Sequence, residues 1–345
     1  MSEREQVAAY RRRLAGGLLV APLAGTSDPA WYGLLADAEP AAFYGEMITA
    51  DGLFRGSRKT RSMICGLDGG RRLPGCEYPR AYPELGVPVA CQLFGHLPEA
   101  FAQTAAFVEA CGYEAIDLNY GCPAKKVVRS GNGVALMREP GLAVEIARAT
   151  VEAVALPVSA KLRLGFADAP EAYLRLGESL AGAGVACLIL HARTREQVFG
   201  GRADWRAIER LVASVGIPVI GNGDIEGPED ARRMLERTGC HGVMVGRRLI
   251  RAPWEARRIS AALRGGEPPP EPDWSDRLEW TRRHGRRLAA YYGEKTGMMR
   301  IRRFALYYLR EVRGARELRR RIVRVESLAE LDAVLDEARE LGGEE

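Results

Sequence analysis

The sequence predicts an α/β protein, a TIM (β/α)8 barrel followed by a small all-α helical domain. Three observations carry this. Eight short apolar or β-branched runs recur between Leu18 and Gly246, with amphipathic stretches between them. A Pro/Gly-rich break follows the eighth run, and beyond it the patterning is purely helical. The turn after the first run reads Pro22-Leu-Ala-Gly-Thr-Ser27, not the Gly-x-Gly-x-x-Gly that usually marks an open doubly wound sheet.

The eight predicted strands are 18–22, 43–48, 87–94, 115–119, 156–164, 187–191, 217–222 and 242–246. Between them, 98–111 sets Phe101, Ala105 and Val108 on one helical face, and 140–154 does the same with Val144, Ala147, Val151 and Val154. The stretch 228–237 opens on Pro228, whose fixed φ and missing N–H suit a first helical turn. These elements define a catalytic barrel over 1–262. Residues 263–274 read as a linker, and 275–345 as the helical domain. There, helices start near Ser275 and Met298, and Ser327-Leu-Ala-Glu330 reads as a capping box that opens the last one.

Composition narrows the function classes. Hydrophobic residues are 47% and charged residues 28%, the profile of an ordinary soluble globular protein. The charged N-terminus and the lack of a long apolar run predict neither a signal peptide nor a membrane span, and so a cytoplasmic protein. Seven cysteines with no Cys-x-x-Cys pair argue against a disulfide framework or a metal site. The net charge of +5 is unevenly spread. Residues 276–325 hold sixteen Lys/Arg against five Asp/Glu, a local +11, so the remainder carries +5 minus +11, or −6. Such a segment points to a polyanionic partner, or else to a solvated arginine face.

Active residues of such barrels sit at the C-terminal ends of the strands. Gly221-Asn222-Gly223-Asp224 and Gly246-Arg247, after strands seven and eight, predict a phosphate site, because glycine lets backbone N–H groups approach an anion. Lys161, in an apolar strand, can stabilise negative charge on a reduced ring, and Gln92 offers a donor and an acceptor to a ring edge. Each could also be a satisfied polar residue at a strand end. Cys122, between Gly121 and Pro123, is presented by a tight loop, whereas Cys91 and Cys187 sit in core-like settings. A thiol with a pKa of about 8.5 is mostly protonated at neutral pH and can donate a proton.

Five segments resemble the tRNA-dihydrouridine synthases. They are Ala21-Pro-Leu-Ala-Gly-Thr-Ser-Asp28, Asp117-Leu-Asn-Tyr-Gly-Cys-Pro-Ala-Lys-Lys126, His191-Ala-Arg-Thr194, Pro218-Val-Ile-Gly-Asn-Gly-Asp224 and Val245-Gly-Arg247. The resemblance implies reduction of tRNA uridines in the D-loop region, with FMN as cofactor and NADPH as electron donor, and implies no protein partner. It places FMN against Pro22, Leu23, Ala24, Gln92, Lys161 and His191, with its phosphate at Asn222, Gly223, Asp224, Gly246 and Arg247. Cys122 matches the proton donor, and Asn119 and Arg193 match the uracil end of the pocket. Lys125, Lys126 and Arg129, read as a mobile basic loop, join Arg302 and Arg303 of the basic segment as RNA contacts. Two departures are visible: Gly45 stands where serine is usual, and Gly221 where alanine is commoner. A dihydroorotate-dehydrogenase-like enzyme of free pyrimidines would leave the basic segment without a task. A non-catalytic RNA-binding protein would leave the clustered Cys122, Lys161 and glycine loops without one.

Overall fold

The computed structural model describes residues 2–64, 85–310 and 315–341. Cys65, Cys76 and positions 311–314 of the basic segment lie outside the described residues. The described strands are β1 (Gly17–Val20), β2 (Ala42–Tyr44), β3 (Ile48–Thr49), β4 (Val89–Phe94), β5 (Ala115–Tyr120), β6 (Val158–Arg163), β7 (Cys187–His191), β8 (Val219–Asn222) and β9 (Gly242–Val245). β1 pairs in parallel with both β9 and β2, and β2 pairs with β4, which closes the ring.

The predicted second strand is broken in two. The Gly45 N–H still donates to the Ala90 carbonyl (2.9 Å), but Glu46 and Met47 leave the ladder before β3 rejoins it at Ile48 opposite Leu93. The break turns Glu46 toward Gly25, whose N–H it accepts at 2.8 Å, and puts Met47 at the barrel mouth.

Strand periodicity sorts the side chains into two cores. One face packs outward on the surrounding helices. The other fills the barrel with small and medium residues, among them Leu19, Ala42, Ala90, Ala115, Ile189, Ile220 and Met244. An additional helix, Glu3–Leu14, covers the N-terminal end of this inner core with Tyr10 and Leu14. Its Tyr10 hydroxyl lies 2.7 Å from that of Tyr44, and Arg11 and Arg13 bond the Ala186 and Ala41 carbonyls.

The C-terminal helices Trp274–Tyr292, Glu294–Tyr308, Ala315–Ile322 and Leu328–Leu341 form a separate apolar core with Leu288, Met298, Ile301, Phe304, Tyr308 and Leu331. Asp273 caps the first in a reciprocal box with Asp276. The predicted box at Ser327 is half made: Ser327 accepts from the Glu330 N–H (3.2 Å), but the Glu330 carboxylate turns back to the Glu326 N–H. Tyr292 and Arg300 meet Asp28 (3.0 and 3.7 Å), and Arg303 bonds the Gly25 carbonyl and Thr26 Oγ1, tying these helices to the loop after β1. No helix among the described residues is long and apolar enough to cross a membrane.

Candidate active site

The C-terminal ends of the strands surround a cavity of about 220 Å³. Pro22, Leu23 and Ala24 form one wall, Gln92 and Asn119 the next, and Lys161 and His191 a third. Asn222, Gly223, Asp224, Gly246 and Arg247 close the ring. Cys122 lines the cavity beside Gly121 and Pro123. The barrel therefore gathers residues up to 225 positions apart in sequence, because in-register parallel strands end at one rim: Asn119 pairs with Lys161, Arg163 with His191, and His191 with Asn222.

A hydrogen-bond chain organises the floor. Asp117, fully buried, accepts from Ser159 Oγ (2.6 Å) and from Gln92 Nε2 (2.7 Å). Gln92 Oε1 accepts from Asn119 Nδ2 (2.9 Å), and Asn119 Oδ1 accepts the N–H groups of Gly121 (3.2 Å) and Cys122 (2.9 Å). The last pair is an Asx turn, the reason a short polar side chain precedes the cysteine loop. Lys161 Nζ donates to Asn222 Oδ1 (3.2 Å), and Asn222 Nδ2 donates to the Met244 carbonyl (2.7 Å).

Burial sets the protonation states. It pushes the Cys122 thiol above its usual pKa, against the opposing pull of the Ala124 backbone, Arg163 and Lys161, so the thiol carries its proton at neutral pH. Burial, and then the Arg163 guanidinium, lower the Lys161 ammonium, while Asp117 and Cys122 pull it back up. His191 lies far below its ordinary value, through burial first and then Lys161, Arg163, Arg193 and Arg247. It is a neutral imidazole, stacked on Phe199 with ring centroids 6.3 Å apart.

At the far end the backbone is bent for close approach. Gly223 has φ of +122°, and a Cβ there would stand 2.8 Å from that of Ala203. Asp224 follows at φ +55°, an uncommon conformation for a residue with a side chain. Its carboxylate is already committed to Arg193 (2.7 and 2.8 Å) and to the Ala203 N–H (2.7 Å). It shapes this loop, and only its backbone can face an anion.

Arg193 must be moved from the place the sequence reading gave it. It is 1% exposed, and its guanidinium bonds Asp224 and the Gly200 and Gly201 carbonyls. It clamps the loop after β7 from behind and does not line the cavity. Arg302 is likewise half-buried and donates twice to the Val325 carbonyl (3.2 and 2.8 Å), and Arg303 holds Gly25 and Thr26. Both guanidiniums are engaged with neutral oxygens of the chain itself. Lys125, Lys126 and Arg129 stand exposed on the rim, on a short helix Lys125–Arg129 pinned by buried Val127 where a loop was expected. Met47, Phe199 and Glu226, which no sequence motif marks, also stand in the wall. Phe199 sits on the loop after β7, with the Arg247 guanidinium 4.5 Å from its ring centre. No periodicity marks a residue on such a loop.

Both departures from the usual motif have local settings. A Cβ at Gly45 would find only the Ala90 carbonyl, at 3.4 Å. At Gly221 it would meet the Met234 sulfur at 2.4 Å and the Cys240 sulfur at 3.1 Å, so the glycine makes room for a large neighbour.

Comparison with known proteins agrees with this geometry. The family model for dihydrouridine synthase matches residues 19–341. A "probable tRNA-dihydrouridine synthase" of Rhodobacter capsulatus is 35% identical over 86% of this chain and 87% of its own length. One of Mycobacterium tuberculosis, also 35% identical, covers 94% of this chain and 82% of its own. Among solved structures, morphinone reductase (16% identity, TM-score 0.53) aligns with 74% of this chain and 87% of its own. Histamine dehydrogenase from Rhizobium sp. 4-9 (12%, TM-score 0.52) aligns with 78% and 48%. At these identities the structural likenesses are of fold, and they agree with the closed barrel.

Proposed function

The chain belongs to the dihydrouridine synthase family, and from that premise we propose that it reduces the C5=C6 double bond of uridines in the D-loop region of tRNA, using FMN and NADPH, in the cytoplasm. The observation that carries the reading is the half-buried Cys122, its thiol pushed up by burial, in a cavity that Lys161, Asn222, Gly223 and Arg247 also line. The donor set suits FMN: a flat apolar wall at Pro22–Ala24, amide groups on Gln92 and Asn119, and a cation with an open glycine turn at Gly223 and Arg247. When bound, FMN supplies the hydride.

The chain's own residues supply the rest. Reduction adds hydrogen to two adjacent carbons, so a proton must reach the carbon that the hydride does not, and Cys122 holds that proton. Asn119 fixes the loop that presents the thiol. Lys161, held by Asn222, would stabilise the negative charge of a reduced ring. Neutral His191 offers a hydrogen bond without adding another positive charge. The pyrimidine must leave the RNA stack to enter so narrow a mouth, and the exposed Lys125, Lys126 and Arg129 would meet phosphates beside it.

Activity on free dihydroorotate is the weaker reading, because the family match runs on through the helical region, which a free pyrimidine does not need. The deciding experiment incubates purified protein with NADPH and tRNA lacking dihydrouridine, and maps the product by mass spectrometry. Absence of FMN from the purified protein, or turnover of orotate in place of tRNA, would overturn the reading.

A further inference from the structure

Asp117 lies beneath the cavity and does not line it, yet every amide orientation above it depends on what it can accept. The amide ends of Gln92 and Asn119 are nearly symmetric in shape, so packing alone would accommodate either rotamer of each. In its ionised form the carboxylate removes that freedom, because it can then only accept; burial raises its pKa to about 7, against the hydrogen bonds from Gln92 and Ser159 and the Lys161 charge, so the lock belongs to the ionised state and the alkylation test is run above that pH. Gln92 must turn its NH₂ toward Asp117 (2.7 Å), which leaves its carbonyl oxygen facing Asn119. Asn119 must then turn its own NH₂ toward Gln92, and its oxygen is left to receive the Gly121 and Cys122 N–H groups. Were Gln92 to flip, Asn119 would follow, and its NH₂ would confront two backbone donors. At roughly 1 kcal/mol for each hydrogen bond broken, and more for buried groups left unpaired, the flipped arrangement is strongly disfavoured.

We propose that Asp117 is a positioning residue: its buried carboxylate sets the polarity of the Gln92–Asn119 chain and so fixes the turn that aims Cys122 into the cavity. Its importance for rate rests on the proton-donor reading above, but the lock itself is a property of the folded chain. A bland alternative is that Asp117 only satisfies Ser159 and Gln92 inside the barrel.

Exchange of polarity separates the two. Asp117→Asn can donate as well as accept, so it releases the lock while keeping the side chain's size. Asp117→Asn combined with Asn119→Asp reverses the chain: Gln92 turns over, donates to position 119 instead, and an acceptor again faces the Gly121 and Cys122 N–H groups. Ser159→Ala removes one bond to Asp117 and leaves the lock in place. The readout is the rate at which iodoacetamide alkylates Cys122 in the FMN-loaded protein, followed on the Cys122 peptide by mass spectrometry. It requires neither tRNA nor turnover, so it stands or falls separately from the proposed activity.

The single variant is expected to change this rate by about 3- to 10-fold, the equivalent of about one hydrogen bond. The exchanged pair should return it to within 2-fold of wild type (~0.4 kcal/mol), and Ser159→Ala should leave it there. The FMN dissociation constant should rise in the single variant. A wild-type alkylation rate in Asp117→Asn, or failure of a folded exchanged pair to restore it, would overturn the proposal. If Asp117→Asn does not fold, a folded exchanged pair with the wild-type rate still supports the lock, and loss of folding in both makes Asp117 a core residue only.

Discussion

The barrel mouth and the helical region are both rich in cations and hold them in opposite ways. At the mouth, Arg163 is 3% exposed and donates to the Thr194 and Val198 carbonyls, and Lys161 leans on the Asn222 amide. Neither has a carboxylate as its hydrogen-bond partner, although Asp117 is near enough to Lys161 to raise its pKa. In the helical region three arginines meet acids of the last helix: Arg282 meets Asp332 and Asp336, Arg286 meets Asp332, and Arg321 is paired with Glu337, while Arg283 and Arg300 meet Asp37 and Asp28 of the barrel. Residues 326–341 carry six acids against Arg339, so the +11 segment is followed by −5 and the two together amount to +6. Few charges that a low-dielectric site holds open can do more chemistry than many that the surface screens. A count of arginines is therefore a poor map of where a polyanion binds.

The sharpest test of this contrast removes a single group from the mouth. Cys122→Ala is expected to lower single-turnover dihydrouridine formation by about 10²- to 10⁴-fold, the range for loss of a positioned acid. Flavin reduction by NADPH should continue. Wild-type product formation would make Cys122 a packing residue.

Next in size is Arg247→Ala. Removal of a charge-assisted hydrogen bond should weaken FMN binding by roughly 1.5–3 kcal/mol, read as a dissociation constant by flavin fluorescence. Unchanged affinity would move the phosphate elsewhere.

The helical region should instead reveal itself through pH. His284 is fully buried there, with Nδ1 2.9 Å from the Tyr308 hydroxyl and Nε2 without a partner. Burial, then Arg287 and Arg303, push its pKa down to about 3. Because the folded value lies below the unfolded one of about 6.5, the unfolded chain binds the extra proton first. Stability is full above pH 6.5 and falls on acidification toward pH 3, by about 2 kcal/mol at pH 5. Urea titrations at several pH values check this, and His284→Gln should flatten the dependence.

The smallest effects should separate free from paired arginines. Lys295, Arg310, Arg319 and Arg324 have no side-chain partner among the described residues. Replacing Arg310, Arg319 and Arg324 with alanine should weaken tRNA binding a few-fold and lower its salt slope by about 0.7–0.9 for each phosphate no longer neutralised. Arg282→Ala and Arg321→Ala should leave that slope alone. Arg302→Ala should cost fold stability rather than RNA affinity, about 1–2 kcal/mol, by leaving the Val325 carbonyl unpaired.

The same contrast explains what could be read in advance. Parallel strands end at one rim, so residues at strand ends, from Gln92 to Arg247, were legible as neighbours once the eight runs were found. Positions on irregular backbone were not: Phe199 and the kink at Gly45–Met47 follow no period. Arg193 carried the right motif, but its role depends on Asp224 reaching back from the next strand end, a tertiary fact. The cations of 276–325 were countable, but several of their partners, among them Asp28, Asp37, Asp332 and Glu337, lie on other elements whose packing no local pattern announces.

One of these settings constrains how the chain can change. Gly221 and Met234 fill the same volume, the one by having no side chain and the other by having a long one. Two single steps lead away from this state. Enlarging position 221 first drives a methyl group into sulfur in a packed layer, at about 1–3 kcal/mol. Shrinking Met234 first opens a void, at a comparable cost. A chain with alanine at 221 and this chain would thus stand on opposite sides of a shallow fitness valley. The two positions are expected to drift as a linked pair, and a library that varies either alone would undercount what both tolerate.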